Sequence, residues 1–259
     1  MTYLFEHGQD EPGPTLAADG TPRLPHVAYD LEGYPHSDGA RRSENTRQAD
    51  QFFYAVPALQ TFFHERFPDA FVAGDLLIYP RPKDLKASVA PDVFVAFGAG
   101  NHARLNYKLW EGEPVPAFVM EILAGSASDN ELYEKRDKYV GMGIQEFWMF
   151  DPFAGRIREQ VAGYTLRSGR YRPIRRLPGL PRYPSDVLGL EFRAKDGNLR
   201  IHDPIAGKDL LTHAELIALE NRADASKRLL DALAKQVAVQ KENVRLRRQL
   251  ERYESRQAS

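Results

Sequence analysis

Ala117-Phe118-Val119-Met120-Glu121-Ile122-Leu123 is a short apolar run carrying a single carboxylate. The small residues Ala124-Gly125-Ser126-Ala127-Ser128 follow it and predict a turn. A polar stretch from about Asp129 to Val140 has helical character, and Gly141 and Gly143 predict where it stops. Ile144-Gln145-Glu146-Phe147-Trp148-Met149-Phe150 is a second apolar run, closed by Asp151-Pro152. Run, helix and run at these lengths predict two strands of one sheet joined by a helical crossover.

Working toward the N-terminus, Val93 to Phe97 predicts a strand opened by Pro91-Asp92. Leu76 to Tyr79 and Phe71-Val72-Ala73 predict two more, separated by Gly74-Asp75. Ala49, Phe52, Phe53, Val56, Leu59, Phe62 and Phe63 recur at helical spacing from Arg41 onward. Ser43 is the expected N-cap, and Pro57 is expected to kink or split that helix. Residues 1 to about 40 are rich in proline, glycine and aspartate without periodicity and read as an irregular arm. Toward the C-terminus, Ser168-Gly169 and Asp196-Gly197-Asn198 predict hairpins between residues 155 and 202. His213 to about Tyr253 has no proline or glycine and predicts one long helix. In it Leu229, Ala232, Gln236, Val239, Asn243, Leu246 and Leu250 follow the 3-4 spacing of a coiled-coil seam, and an upstream seam of Leu216, Leu219, Ala223, Leu230, Leu233 and Val237 is out of register with it. Three parts are expected: the arm 1–40, a domain 41–205 and a helical, coiled-coil-like tail 206–259.

Composition sets limits. The 259 residues include no cysteine, so disulfides, thiolate zinc sites and cysteine nucleophiles are excluded. The histidines form no pair at helical or zinc spacing. The lack of cysteine fits a reducing cytoplasm. No signal peptide is expected, and no window approaches the roughly 18 apolar residues of a membrane span. A formal net charge of −1 means that a nucleic-acid partner would need a local basic patch.

Asp92 and Glu121 stand in or beside apolar strands, where an unpaired charge is costly. A hard dication such as Mg2+ takes oxygen ligands and often only one or two protein carboxylates. With a lysine to offset charge, such a centre suits phosphodiester chemistry. On a helix Glu131, Lys135 and Tyr139 share one face, with Lys138 close to it, so Lys135 could point back to the carboxylates. The plainer readings also stand: Asp92 as a turn or cap, Glu121 on an edge strand facing water, Glu131–Lys135 as a surface ion pair.

Pro91-Asp92, Glu121-Ile122-Leu123, Ser126, Lys135, Tyr139, Gly143-Ile144, Glu146-Phe147-Trp148 and Asp151-Pro152 together resemble the Uma-two family of the restriction-endonuclease-like superfamily, whose signature is PD-(D/E)XK. The resemblance covers roughly residues 40 to 205. It implies an α/β fold with a central mixed sheet flanked by helices, and a DNA endonuclease using Mg2+ or Mn2+. Asp92 and Glu121 would be the metal ligands. The superfamily's lysine would stand at position 123, which is Leu123 here; the family's position on the next helix is Lys135, making Asp92, Glu121 and Lys135 the catalytic set. The family's usual serine-proline-serine-threonine is Ala124-Gly125-Ser126-Ala127 here, and Glu131 replaces an aspartate. Asp75, Glu44, Glu131, Lys138 and Tyr139 are further candidates. Cutting both strands would be simplest for a homodimer.

Residues 155 to 185 carry eight arginines against Glu159 alone. Arginine suits bidentate phosphate contact, and Arg170, Arg172, Arg175 and Arg176 are the expected DNA contacts. A solvated strand edge guarded by charge is the plain reading of the same pattern. A non-catalytic DNA-binding or adaptor protein with a decayed site and a coiled-coil tail is the competing function. A small-nucleotide phosphoesterase is a third reading, without a Gly-rich phosphate loop to support it.

Overall fold

The computed structural model describes residues 16–24, 27–37, 45–125 and 128–257, with the side chains of Glu65 and of residues 237–257 outside the description. Its centre is a six-stranded mixed sheet in the order β1-β3-β5-β6-β7-β8. The strands are β1 (Phe71–Ala73), β3 (Val93–Ala96), β5 (Phe118–Ile122), β6 (Glu146–Phe150), β7 (Val161–Arg167) and β8 (Arg170–Pro173). β5 and β6 pair in parallel and the other neighbours are antiparallel. The predicted crossover is present: helix α2 (Asp129–Met142) joins β5 to β6. Ser128 caps its start, and Gly143, at φ 82°, caps its end in the left-handed conformation that glycine adopts freely. The helix continues through Gly141, so only Gly143 stops it.

Strand alternation sends side chains to two cores. On one face Val93, Val95, Phe118, Met120, Ile122, Trp148 and Phe150 meet helix α1 (Thr46–Arg66). Of the residues read at helical spacing, α1 buries Leu59, Phe62 and Phe63, joined by Ala55 and Ala58, while Phe52 and Val56 are half-buried and Phe53 is exposed. That face is completed by a second sheet of β9 (Tyr183–Ser185), β10 (Leu190–Lys195), β11 (Asn198–Asp203) and β12 (Lys208–Asp209), whose Phe192 stacks on Phe118. On the other face Phe94, Val119 and Phe147 meet Tyr139 and Ile144 beside α2. Helices thus flank both faces of the sheet. The hairpin turns Ser168-Gly169 and Asp196-Gly197 both have positive φ at the two residues, as type I′ turns require.

Several local expectations are corrected. The N-cap of α1 is Asn45, whose side chain accepts from the Gln48 N–H, and Ser43 lies outside the described residues. α1 is not split at Pro57, which is exposed. The carbonyl of exposed Phe53, which proline leaves without a partner, can bond water there. Leu76 and Leu77 are not in a strand: β2 is only Ile78–Tyr79, and it pairs in parallel with β4 (Tyr107–Lys108), for which no strand was expected. β9 was not expected.

The described part of the arm is irregular but packed. Tyr34 is buried with Leu77 and Tyr79, and Asp30 and Glu32 meet the ammonium of buried Lys108 at 2.8 and 2.6 Å. The chain divides into two units, residues 1–210 and 211–259. The second holds α3 (His213–Gln257), whose Leu219, Leu229, Leu230 and Leu233 side chains are exposed. Among the described residues no helix is long and apolar enough to cross a membrane.

Candidate active site

Glu121 lies near the C-terminal end of β5, a central strand buried along its whole length, and is 4% exposed. β3 and β5 pair as Val93↔Met120. Extending that register by one residue sets Asp92 opposite Glu121 on the same face of the sheet. Open loops at the carboxyl ends of parallel strands are where α/β sheets place ligands.

Both oxygens of Glu121 are engaged. Lys135 Nζ donates to Oε2 at 2.8 Å, and the hydroxyl of fully buried Tyr139 donates to Oε1. Lys135 and Tyr139 are one helical turn apart on α2, so the crossover that follows β5 returns both groups to it. Burial alone would favour neutral Lys135, but the Glu121 carboxylate overrides this and holds its pKa above the usual lysine range. Burial beside Glu121 likewise keeps the Tyr139 phenol protonated, well above its ordinary value. These contacts exclude a water-facing Glu121, and Lys135 bonds Glu121, not Glu131.

Asp92 accepts from the Ile122 N–H through Oδ2 at 2.6 Å. Burial and then the repulsion of Glu121 push its carboxyl up to about 7, although Lys135 and the Ile122 hydrogen bond pull the other way. The Ile122 carbonyl, in the next peptide, is held by Gln48 of α1, whose Nε2 donates to it at 3.0 Å. Nothing in the sequence marked Gln48, because its role depends on the peptide that the fold sets before it.

The further candidates separate. Gly74-Asp75 lies against Asp92: the Asp75 N–H donates to the Pro91 carbonyl at 2.9 Å, and a Cβ on Gly74 would come 2.0 Å from the Asp92 carbonyl oxygen. Only glycine fits there. Lys138 does not reach the carboxylates and donates instead to the Ser88 carbonyl at 2.8 Å. Glu131 is exposed, with its N–H capped by Ser128 and its charge favouring ammonium at Lys135. Glu44 and Ser126 lie outside the described residues.

The arginines do not form one surface beside the site. Tyr171 packs in the core on the Glu121 face, so Arg170 and Arg172 project from the opposite face. Across the sheet Arg172 is level with Thr165, Glu146 and Phe118, three rows from Glu121. The Ile174 N–H bonds the Gly163 carbonyl, so Arg175 comes level with Glu121 three strands away, about 14 Å at usual strand spacing. Arg182 pairs with Glu191 at 2.8 Å, and Arg156 faces Asp129 at 3.6 Å.

Among the described residues no group of three or more His, Asp or Glu side chains is placed to hold a metal ion. The pair Asp92 and Glu121 is nevertheless a donor set of the kind Mg2+ or Mn2+ accepts: two carboxylates on one face, whose mutual repulsion a dication would relieve.

A solved structure described as a putative nuclease belonging to DUF820, from Anabaena variabilis ATCC 29413, is 16% identical, with 52% of this chain and 73% of that chain covered and a TM-score of 0.38. No curated protein matches. The Uma2 family, described as putative restriction endonuclease, matches residues 21–200, an interval that holds Asp92, Glu121 and Lys135, and the chain belongs to that family.

Proposed function

We propose that the chain is a metal-dependent nuclease that hydrolyses phosphodiester bonds in DNA. The observation that carries this reading is the meeting of Asp92, Glu121 and Lys135 around one peptide, in a chain of the Uma2 family. Asp92 and Glu121 would hold Mg2+ or Mn2+, which when bound polarises a phosphoryl group and makes water more acidic. Tyr139 fixes the Glu121 carboxylate, and the Ile122 N–H fixes Asp92. Lys135 keeps one ammonium hydrogen on Glu121 and has others to orient water or offset charge on the phosphate. Arg175 and Arg176 remain phosphate contacts in this reading; Arg170 and Arg172 lie on the other face of the sheet.

Lys135→Ala is expected to slow cleavage of plasmid DNA by about 10²–10³-fold, the usual effect of removing one transition-state donor. Wild-type cleavage should need Mg2+ or Mn2+ and stop with a chelator. Equal rates in the two proteins would remove Lys135 from the mechanism.

The reading also takes a second copy, so that both strands of a duplex are cut. It is supported by the exposed Leu229, Leu230 and Leu233 on α3, the first in one of the two seams read in the sequence and the other two in the second. Sedimentation should give twice the chain mass, and Leu229→Lys with Leu233→Lys should give one chain mass. A wild-type monomer at micromolar concentration would contradict it.

A further inference from the structure

One turn along α2 from Lys135 lies a cavity of about 360 Å3. That is within the range of pockets that take small molecules. Pro80, Ala87, Leu109 and Met142 give it apolar walls, and Arg81 and Lys138 line it with cations. Lys138 leaves the helix about 4.5 Å beyond Lys135, so the cavity and the acidic pair are neighbours. Segment 88–90 runs between them, with the Ser88 carbonyl on Lys138 and the Ala90 carbonyl 3.5 Å from Lys135.

The charges are not used up. Ser88 takes one of the three ammonium hydrogens of Lys138, and Asp84 bonds one guanidinium nitrogen of Arg81 at 2.7 Å. The segment from Arg81 to Ser88 also carries exposed Lys83 and Lys86 against Asp84 alone. Apolar walls with cations beside them suit a ligand that has a flat apolar part and a phosphate.

We infer that this cavity holds one nucleotide unit of the strand being cut, its base against Leu109, Met142 and Pro80 and its phosphate on Lys138 and Arg81. The inference rests on the nuclease reading for its substrate class. It adds a subsite next to the acidic pair, which the arginines of β8 do not supply.

Gly141 gives a clean test. It lines the cavity from inside α2, and a Cβ there meets nothing within 4 Å. Gly141→Leu should therefore fill the space without a clash and with a gain in helix propensity. Binding of deoxyadenosine 5′-monophosphate to the full chain is measured by titration in a chelator, so that no cleavage is needed. Deoxyadenosine and inorganic phosphate should each bind at least about tenfold more weakly, as the loss of charge-assisted hydrogen bonds or of apolar contact implies. Gly141→Leu and Lys138→Gln should each weaken the nucleotide about tenfold, and Gly141→Ala should leave it unchanged. In the presence of metal, Gly141→Leu should raise KM for an oligonucleotide and keep kcat. Unchanged nucleotide binding in Gly141→Leu, or phosphate binding as tightly as the nucleotide, overturns the site. Lost nucleotide binding with unchanged KM assigns the cavity to a free nucleotide and overturns its place on the strand. A wild-type chain that binds the nucleotide here but cuts no DNA counts against the nuclease reading and supports the cavity.

Discussion

Asp92→Asn is expected to abolish DNA cleavage and at the same time to make the protein more stable at pH 8. The two effects have one origin. The Asp92 carboxyl is held at about 7 by burial and by Glu121, against the usual 3.8. The folded chain therefore keeps this proton at a pH where the unfolded chain has released it. Stability from this group is largest below about pH 4, falls as pH rises toward 7, and is lowest above 7. The full rise corresponds to a ceiling of about 4 kcal/mol. Relaxation of the folded site and entry of water lower this, so about 1–2 kcal/mol is expected in practice. Asparagine carries no charge to desolvate and can still accept from the Ile122 N–H. Its melting temperature should exceed that of wild type by about 3–6 °C at pH 8. The gap should close as pH approaches 4. Cleavage should fall by at least about a thousandfold, because a neutral amide replaces a charged ligand for the dication. Melting curves from pH 4 to 8 and plasmid assays on the same preparations check both halves. A variant less stable than wild type at pH 8 would contradict the placement of Asp92 as a desolvated carboxylate beside Glu121.

The second large effect concerns a carboxylate that does no chemistry. Glu146 opens β6 on the face opposite Glu121 and is 1% exposed. One oxygen accepts from Trp148 Nε1 at 2.9 Å and Ser185 Oγ at 2.6 Å. The other accepts from the Asp186 and Val187 N–H groups at 3.0 and 3.2 Å. Three of these four bonds, those from Ser185, Asp186 and Val187, tie the six-stranded sheet to the end of β9 and the turn after it, and the fourth lies within β6. Glu146→Ala leaves four donors without their acceptor, the buried Trp148 and Ser185 groups among them, and should cost about 3–5 kcal/mol in urea unfolding. Glu146→Gln should cost less, since its carbonyl oxygen still accepts while its amide opposes two donors. Metal-dependent cleavage by whatever fraction stays folded should keep its kcat. A cost below about 1 kcal/mol for Glu146→Ala would contradict this account of how the two sheets are joined.

What the sequence made legible follows from how local each cause is. The β5–α2–β6 unit was readable because the apolar runs, the Ser128 cap and the Gly143 stop all act within a few residues. Asp92, Glu121 and Lys135 were readable as candidates because carboxylates in apolar runs are costly and because their order resembles a family. Lys135 rather than Lys138 as the partner of Glu121 needed the phase of α2 against β5, which spacing alone left open. The arginines show the limit most clearly. Their alternation in β8 was visible, but which face they take relative to Glu121 depends on counting registers across β5, β6, β7 and β8. The parallel β2–β4 pair was hidden for the same reason, since its partners are almost thirty residues apart and each is only two residues long. Gln48 lies in an ordinary amphipathic helix and becomes part of the site only because the Ile122 carbonyl is set before it.

The claim at the centre of this account is that Glu121, held by Lys135 and Tyr139 and facing Asp92, is the acidic core of a nuclease. The direct test is cleavage of supercoiled plasmid by wild type and by Glu121→Gln, side by side, with Mg2+ or Mn2+ and with chelator, after both are shown to be folded by circular dichroism. The account predicts metal-dependent cleavage by wild type and none above background by Glu121→Gln. Undiminished cleavage by Glu121→Gln would contradict it.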